Sequence, residues 1–245
     1  MNANVKASSI GGEWADTLGL SDFLRALPDE VLARLAPDCE LVELKLGQVL
    51  SEASCPMDSV YFPTTAIVSI LYVLDNKASA EIAIVGKEGM LGIFLFMSDH
   101  NPPSETVVQI AGQAYRLNKK EFKAEFLRIG EFFSLSLRYT QALITQMNLT
   151  AVCNRHHSLD QQLCRWLLLS LDRAPFNHLT MTHQIIANML GVRRVGVTVA
   201  AGKLQAAGLI QYSRGTIVVL DRKGLENQVC ECYQTVKEEF AQLLG

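Results

Sequence analysis

The spacing of hydrophobic positions changes character several times along the chain. Between Leu20 and Leu35, Phe23, Leu24, Leu27, Val31, Leu32 and Leu35 fall on one helical stripe, with Ser21 placed to cap and Pro28 placed to split the stretch into two short helices. From Cys39 to about Asn118 the period drops towards two. Leu41–Leu46, Ser59–Phe62, Ala66–Leu74, Ala80–Val85 and Thr106–Leu117 are β-prone runs punctuated by Gly, Pro, Asn and Asp. Many short strands at close spacing predict an antiparallel sandwich or jelly roll. Helical spacing then returns. Phe133, Leu137, Thr140, Ile144, Met147, Ala151 and Asn154 alternate steps of four and three, a heptad-like seam that a second copy of the chain would cover, unless the helix packs on its own domain. Ser158–Leu171 and Leu225–Leu244 read as two further amphipathic helices, the last carrying Val229, Cys232, Tyr233, Val236, Phe240 and Leu243. Residues 1 to about 20 are polar, contain glycine and are expected to be loose.

The stretch Thr180–Leu220 carries the chemistry. Thr182 can cap a helix with Ile186 and Leu190 on its inner face, and Gly191 supplies the left-handed residue that ends it. A second helix begins near Arg193 and turns Val197 and Ala200 inward, leaving Arg194, Thr198 and Lys203 free to project outward. Gly196 and the β-branched run around it make this helix poor in isolation. Leu209–Tyr212 and Thr216–Leu220 flank Ser213-Arg214-Gly215 as a β-hairpin. Two short helices and a hairpin in this order predict a winged helix-turn-helix, whose second helix enters the DNA major groove.

Charge sharpens this reading locally rather than globally. The 245 residues hold 22 basic and 25 acidic side chains, a net charge of −3 that would not by itself suggest nucleic acid. Yet no Asp or Glu lies between Leu179 and Gly215, while Arg193, Arg194, Lys203 and Arg214 all do, giving the one-signed surface that phosphate contact needs. An ordinary helical hairpin would leave these arginines merely solvated. No basic segment followed by an apolar run opens the chain, and the longest strongly apolar run, Met90–Met97, is too short to span a bilayer, so a cytoplasmic protein with no membrane partner and reduced thiols is expected. A Gly-rich phosphate loop, a G-x-S-x-G elbow and a His-Glu-x-x-His motif are all missing, and no enzymatic activity is expected.

The order of β-rich domain, long helix and winged helix-turn-helix resembles the Crp/Fnr superfamily of bacterial transcription regulators from about residue 20 to 221. THQIIANMLGVRRVGVTVAAGKLQAAGLI followed by GTIVVLD carries the resemblance, with YFPTTAIVSI and VGKEGMLG in the expected order upstream. The implied fold class is α+β: a cyclic-nucleotide-binding-like jelly roll over 1–130, a dimerisation helix over 131–158 and a winged helix-turn-helix domain with its terminal helix over 159–245. The resemblance further implies a homodimer on a double-stranded, roughly palindromic DNA operator, with RNA polymerase as a further candidate partner. Arg194 aligns with the family arginine that reads guanine, and Thr182, His183 and Gln184 align with residues that meet phosphates. Arg193 and Thr198 join Arg194 as base-reading candidates, and Lys203 and Arg214 join the phosphate set. Where the family commonly has Glu and a second Arg, this chain has Val195 and Val199, so a different operator is expected.

The effector site departs further from the family. Cyclic-nucleotide-binding members carry a Gly-Glu-Leu-Gly turn and a downstream Arg-Ser pair. This chain has Gly89-Met90-Leu91-Gly92 and then Pro103-Ser104. Without the carboxylate and the arginine a cyclic phosphate loses its charge-assisted partners. No gating by cyclic nucleotide is expected, the effector is left unnamed, and no metal or cofactor is assigned. The alternatives are a regulator-like interaction module, or a redox, metal or haem sensor. Cys153, His156 and His157 share one helical face but lack a fourth ligand, and Cys39 and Cys55 stand apart, unlike the clustered cysteines of iron–sulfur members.

Overall fold

The computed structural model describes residues 21–244 apart from 54, 56, 77, 98–102 and 175–176, with the side chain of residue 244 also excluded. The looseness expected of residues 1–20 lies outside the described residues. Pro28 divides the first stripe as expected. Helix α1 spans Asp22–Arg25 under a Ser21 cap, whose Oγ accepts from Leu24 N at 3.5 Å, and α2 spans Asp29–Leu35.

Seven strands follow: β1 Cys39–Leu44, β2 Val49–Ser51, β3 Ser59–Pro63, β4 Ile67–Val73, β5 Ser79–Val85, β6 Ser104–Ile110 and β7 Gly112–Asn118. They form two antiparallel sheets, one in the order β1-β7-β3 and the other β2-β6-β4-β5. The run Thr106–Leu117, expected as one unit, is two strands in different sheets. At Gly112 the chain passes so close to the loop before β4 that a Cβ would lie 2.5 Å from Ala66 N, so only glycine makes this corner. Strand β2 went unseen in the sequence because three residues are too few to show alternation.

Helix α3, Lys119–Phe126, leads into the 26-residue α4, Glu131–His156. Phe23, Phe62, Phe122, Phe132 and Tyr139 stack or meet edge-on at centroid distances of 5.6–6.3 Å and weld α1 and α4 to the three-stranded sheet. Helix α5, Leu159–Arg173, opens with a Ser158/Gln161 capping box. Then come β8 His178–Thr180, α6 His183–Leu190, α7 Arg194–Ala206, β9 Ile210–Ser213 and β10 Thr216–Val219, the strands pairing as β8-β10-β9.

The single terminal helix expected over Leu225–Leu244 is instead two: α8 Arg222–Gln228, capped by Asp221, and α9 Glu231–Leu244. Val229 is extended (φ −73°, ψ 157°), and this break redirects Cys230 and Cys232 towards α4. Helix α9 runs antiparallel along α4, with Phe240 beside Tyr139 and Cys230 beside Cys153. It covers the face of α4 opposite the heptad-like seam, where Leu137 and Ile144 remain 43% and 51% exposed.

A buried polar layer joins the four-stranded sheet to α5. Ser69 Oγ donates to Glu81 at 2.5 Å and is 2.9 Å from Gln109 Oε1, and Gln109 Nε2 reaches Ser170 Oγ at 3.5 Å. Among the described residues no single helix is long and apolar enough to cross a membrane.

Candidate nucleic-acid interface

Helix α6 is started by Thr182, whose Oγ1 accepts from Ile185 N at 3.3 Å, and stopped by Gly191 at φ 66°. A cap of this kind contributes about 1 kcal/mol. The axis then bends by 109° into α7, within the range of helix-turn-helix units. Ile186, Ala187 and Leu190 of α6 meet Val197, Ala200, Ala201 and Leu204 of α7 in a fully buried seam. Gly196, a weakness when the helix is considered alone, is where α7 touches α5: a Cβ there would sit 2.8 Å from Leu159 Cδ2. Packing therefore holds a helix that propensity does not.

The outer face of α7 is open. Arg193, Arg194, Val195, Thr198, Val199 and Lys203 are all exposed, with Val195 at 73%. Among the described residues no ion pair holds Arg193, Arg194 or Arg214. Arg214 stands at the tip of the β9–β10 hairpin at φ 49°, ahead of Gly215 at φ 81°. Gln184 is also exposed and donates to Asn188 Oδ1 at 2.9 Å.

Two residues expected to contact phosphate are otherwise engaged. Lys203 Nζ lies 2.7 Å from Asp160 Oδ2, so it is not free: the acid comes from α5, outside the acid-free stretch. His183 is a strut between three elements. Its ring stacks on Tyr212 of β9 at 4.1 Å, and its Nδ1 lies 3.0 Å from Thr198 Oγ1 of α7. With that hydroxyl donating to Arg194 O at 3.1 Å, Nδ1 is assigned the proton, and Nε2 is buried without a hydrogen-bond partner among the described residues. Burial, then the Arg194 charge, lowers the His183 pKa.

In the β-rich domain, the Gly89-Met90-Leu91-Gly92 turn is packed solid. A Cβ on Gly89 would fall 2.5 Å from the Tyr139 ring, and Tyr139 Oη donates to Met90 O at 2.9 Å. Met90, Leu91, Ile93 and Leu95 are buried. The cavity they share with Ser104 and Gly92 measures about 20 Å³, room for roughly one water. Next to this turn Glu88 meets Arg173 of α5 at 2.6 Å, and Arg173 lies 5.3 Å from the Phe240 ring centre.

Of the residues grouped on the face of α4, Cys153 and His157 stay together while His156 points to solvent. Cys230 and Cys232 join them. The sequence concealed this meeting because the residues lie more than seventy positions apart and the helix break that aims them carries no glycine or proline.

Comparison with known proteins agrees with this architecture. Residues 161–228 match the family model of the Crp-like helix-turn-helix domain. No curated protein matches the chain in sequence. Among solved structures, the chain is similar to a protein from Eubacterium rectale assigned to the Crp/Fnr family of transcriptional regulators, at 16% identity over 86% of this chain and 98% of that one, with a TM-score of 0.66. FixK2 from Bradyrhizobium japonicum matches at 15% identity over 78% of this chain and 98% of that one (TM-score 0.65). The Crp/Fnr-family regulator TTHA1359 from Thermus thermophilus matches at 19% over 77% and 97% (TM-score 0.62). Residues 161–228 thus form a Crp-like helix-turn-helix domain, and the chain as a whole has the fold of the Crp/Fnr-type transcription regulators.

Proposed function

We propose that the protein is a homodimeric, sequence-specific DNA-binding regulator that is not gated by cyclic nucleotide. The observation that carries this reading is the outer face of α7, where exposed arginines without ion-pair partners flank Val195, Thr198 and Val199. Arg194 is the base reader, with Arg193 and Thr198 beside it. An arginine fork suits guanine O6 and N7, and the two exposed valines suit thymine methyl groups. Thr182, Gln184 and Arg214 form the phosphate-contacting rim, while Lys203 joins only by giving up Asp160. Leu137 and Ile144 stand outward on the α4 seam, while Phe133 and Met147 pack on the chain's own core, and this exposed part supports pairing of two copies over about 131–158. The sensor, about 1–130, has a filled turn where a cyclic phosphate would need a cradle, since ligand pockets usually hold about 300–1,000 Å³. No enzymatic step is part of this reading.

Selection of sites from a random DNA pool with the purified protein tests it. A palindrome with half-sites one helical turn apart is expected, and adding cyclic AMP is expected to leave the enrichment unchanged. Failure to enrich any sequence overturns the reading.

A further inference from the structure

We propose that Cys153, His157, Cys230 and Cys232 form a closed tetrahedral site for one zinc ion, which clamps the start of α9 to the end of α4. One ligand atom from each of the four lies within 4.8 Å of every other. The Cys153 and Cys230 sulfurs are 3.6 Å apart, and Cys232 Sγ is 3.7 Å from His157 Nδ1. Metal–sulfur bonds of about 2.3 Å and metal–nitrogen bonds of about 2.0–2.1 Å at tetrahedral angles put neighbouring ligand atoms about 3.6–3.8 Å apart. Two of these separations already match that spacing, and small side-chain adjustments within the 4.8 Å cluster would close the rest around an ion.

The surroundings supply what such a shell needs. His157 turns Nδ1 to the sulfurs and Nε2 to Glu231 Oε1 at 3.3 Å, the carboxylate–histidine arrangement that fixes a metal-binding ring. Three thiolates and a neutral imidazole around a divalent ion leave one net negative charge. Arg165 of α5 is buried nearby, donates Nη2 to Thr150 Oγ1 at 3.2 Å, and leaves Nε and Nη1 without a hydrogen-bond partner among the described residues. Its charge, which also acts on Glu81, is a counter-charge to the shell. All three cysteines are buried, so the site offers no open position for substrate or water. Three thiolates plus one imidazole in a closed shell is the donor set of structural zinc rather than of calcium, magnesium or a catalytic metal.

A solvent-facing redox thiol fits less well. Cys153, Cys230 and Cys232 are all buried, whereas a redox thiol needs access to solvent. On binding, the thiols give their protons to solvent as the metal–sulfur bonds form. The location gives the clamp a consequence. It ties the last turn of α4, the α4–α5 junction at His157 and the first turn of α9, and so fixes the approach of the DNA-binding domain to the long helix.

The test is metal content and cobalt substitution of the full-length protein, purified under reducing conditions. One zinc per chain is expected, and replacement by cobalt is expected to give thiolate charge-transfer absorption with intense tetrahedral d–d bands. Cys230→Ser and His157→Ala are expected to lose that spectrum, while His156→Ala keeps it, since His156 is exposed and outside the shell. Glu231→Gln is expected to weaken zinc binding by about 10–100-fold with the spectrum retained. If Cys230→Ser does not fold, the His156 and His157 pair decides alone. The proposal is overturned if reduced wild-type protein takes up no stoichiometric zinc, if cobalt binds with weak octahedral bands, or if His156→Ala loses metal as His157→Ala does.

Discussion

The turn at Gly89–Gly92 and the outer face of α7 are the two places where the sequence pointed to contact with another molecule, and the chain treats them oppositely. At the turn, every direction is spent inward: on the Tyr139 ring, on the Tyr139 hydroxyl bound to Met90 O, and on the Glu88–Arg173 pair. On α7 the side chains that packing does not need, Arg194, Val195 and Val199, are left outward. A residue buried at this density has stability to lose and little recognition to offer, whereas an exposed one has the reverse. Substitutions in the two regions are therefore expected to separate cleanly.

The largest effect is expected at Arg173. Arg173→Ala leaves Glu88 buried without its partner and is expected to cost about 3–5 kcal/mol by denaturant unfolding, with base preference of the remaining folded protein unaltered. Next is Glu81. Burial, opposed by the Ser69 hydrogen bond and the Arg165 charge, raises its carboxyl to about 7, against about 4.3 in an unfolded chain. Between those values the folded protein keeps a proton that the unfolded chain has released, so stability falls as pH rises through that window and levels off above it. The loss is about 4 kcal/mol, and Glu81→Gln is expected to flatten the profile when unfolding is followed from pH 4 to 8. Gly89→Ala, forced against the Tyr139 ring, is expected to cost about 1–3 kcal/mol in the same assay. Val195→Ala closes the series, with stability within about 0.5 kcal/mol of wild type and a measurable loss of discrimination at one operator position. A large stability cost at Val195, or an operator change at Gly89, would collapse the distinction.

How much of this was legible in the sequence depends on the range of the interactions. The helix-turn-helix was readable because its signals are local: Thr182 as cap, Gly191 as stop, and Ile186, Leu190 and Val197 at fixed spacing. The jelly-roll class followed from alternation, but the sheet assignment did not, because the division between β6 and β7 depends on how closely Gly112 passes Ala66. The acid-free stretch could not show that Lys203 has a partner, because Asp160 arrives from another helix. Nor could it show the contacts of His183 with Tyr212 and Thr198, which come from β9 and α7. The filling of the Gly89–Gly92 turn was half visible: Met90 stands where the resemblance places a carboxylate, while the Tyr139 ring packed against Gly89 comes from fifty residues downstream.

Base reading by the open face of α7 is measured by titrating wild type and Arg194→Ala against the selected operator and against operators changed one base pair at a time. Arg194→Ala is expected to lose about 1–3 kcal/mol on the intact operator and nothing further when one particular G·C pair is changed, because the residue that read it is gone. An equal loss on every sequence would make Arg194 a phosphate contact, and no loss at all would mean that this face does not bind DNA.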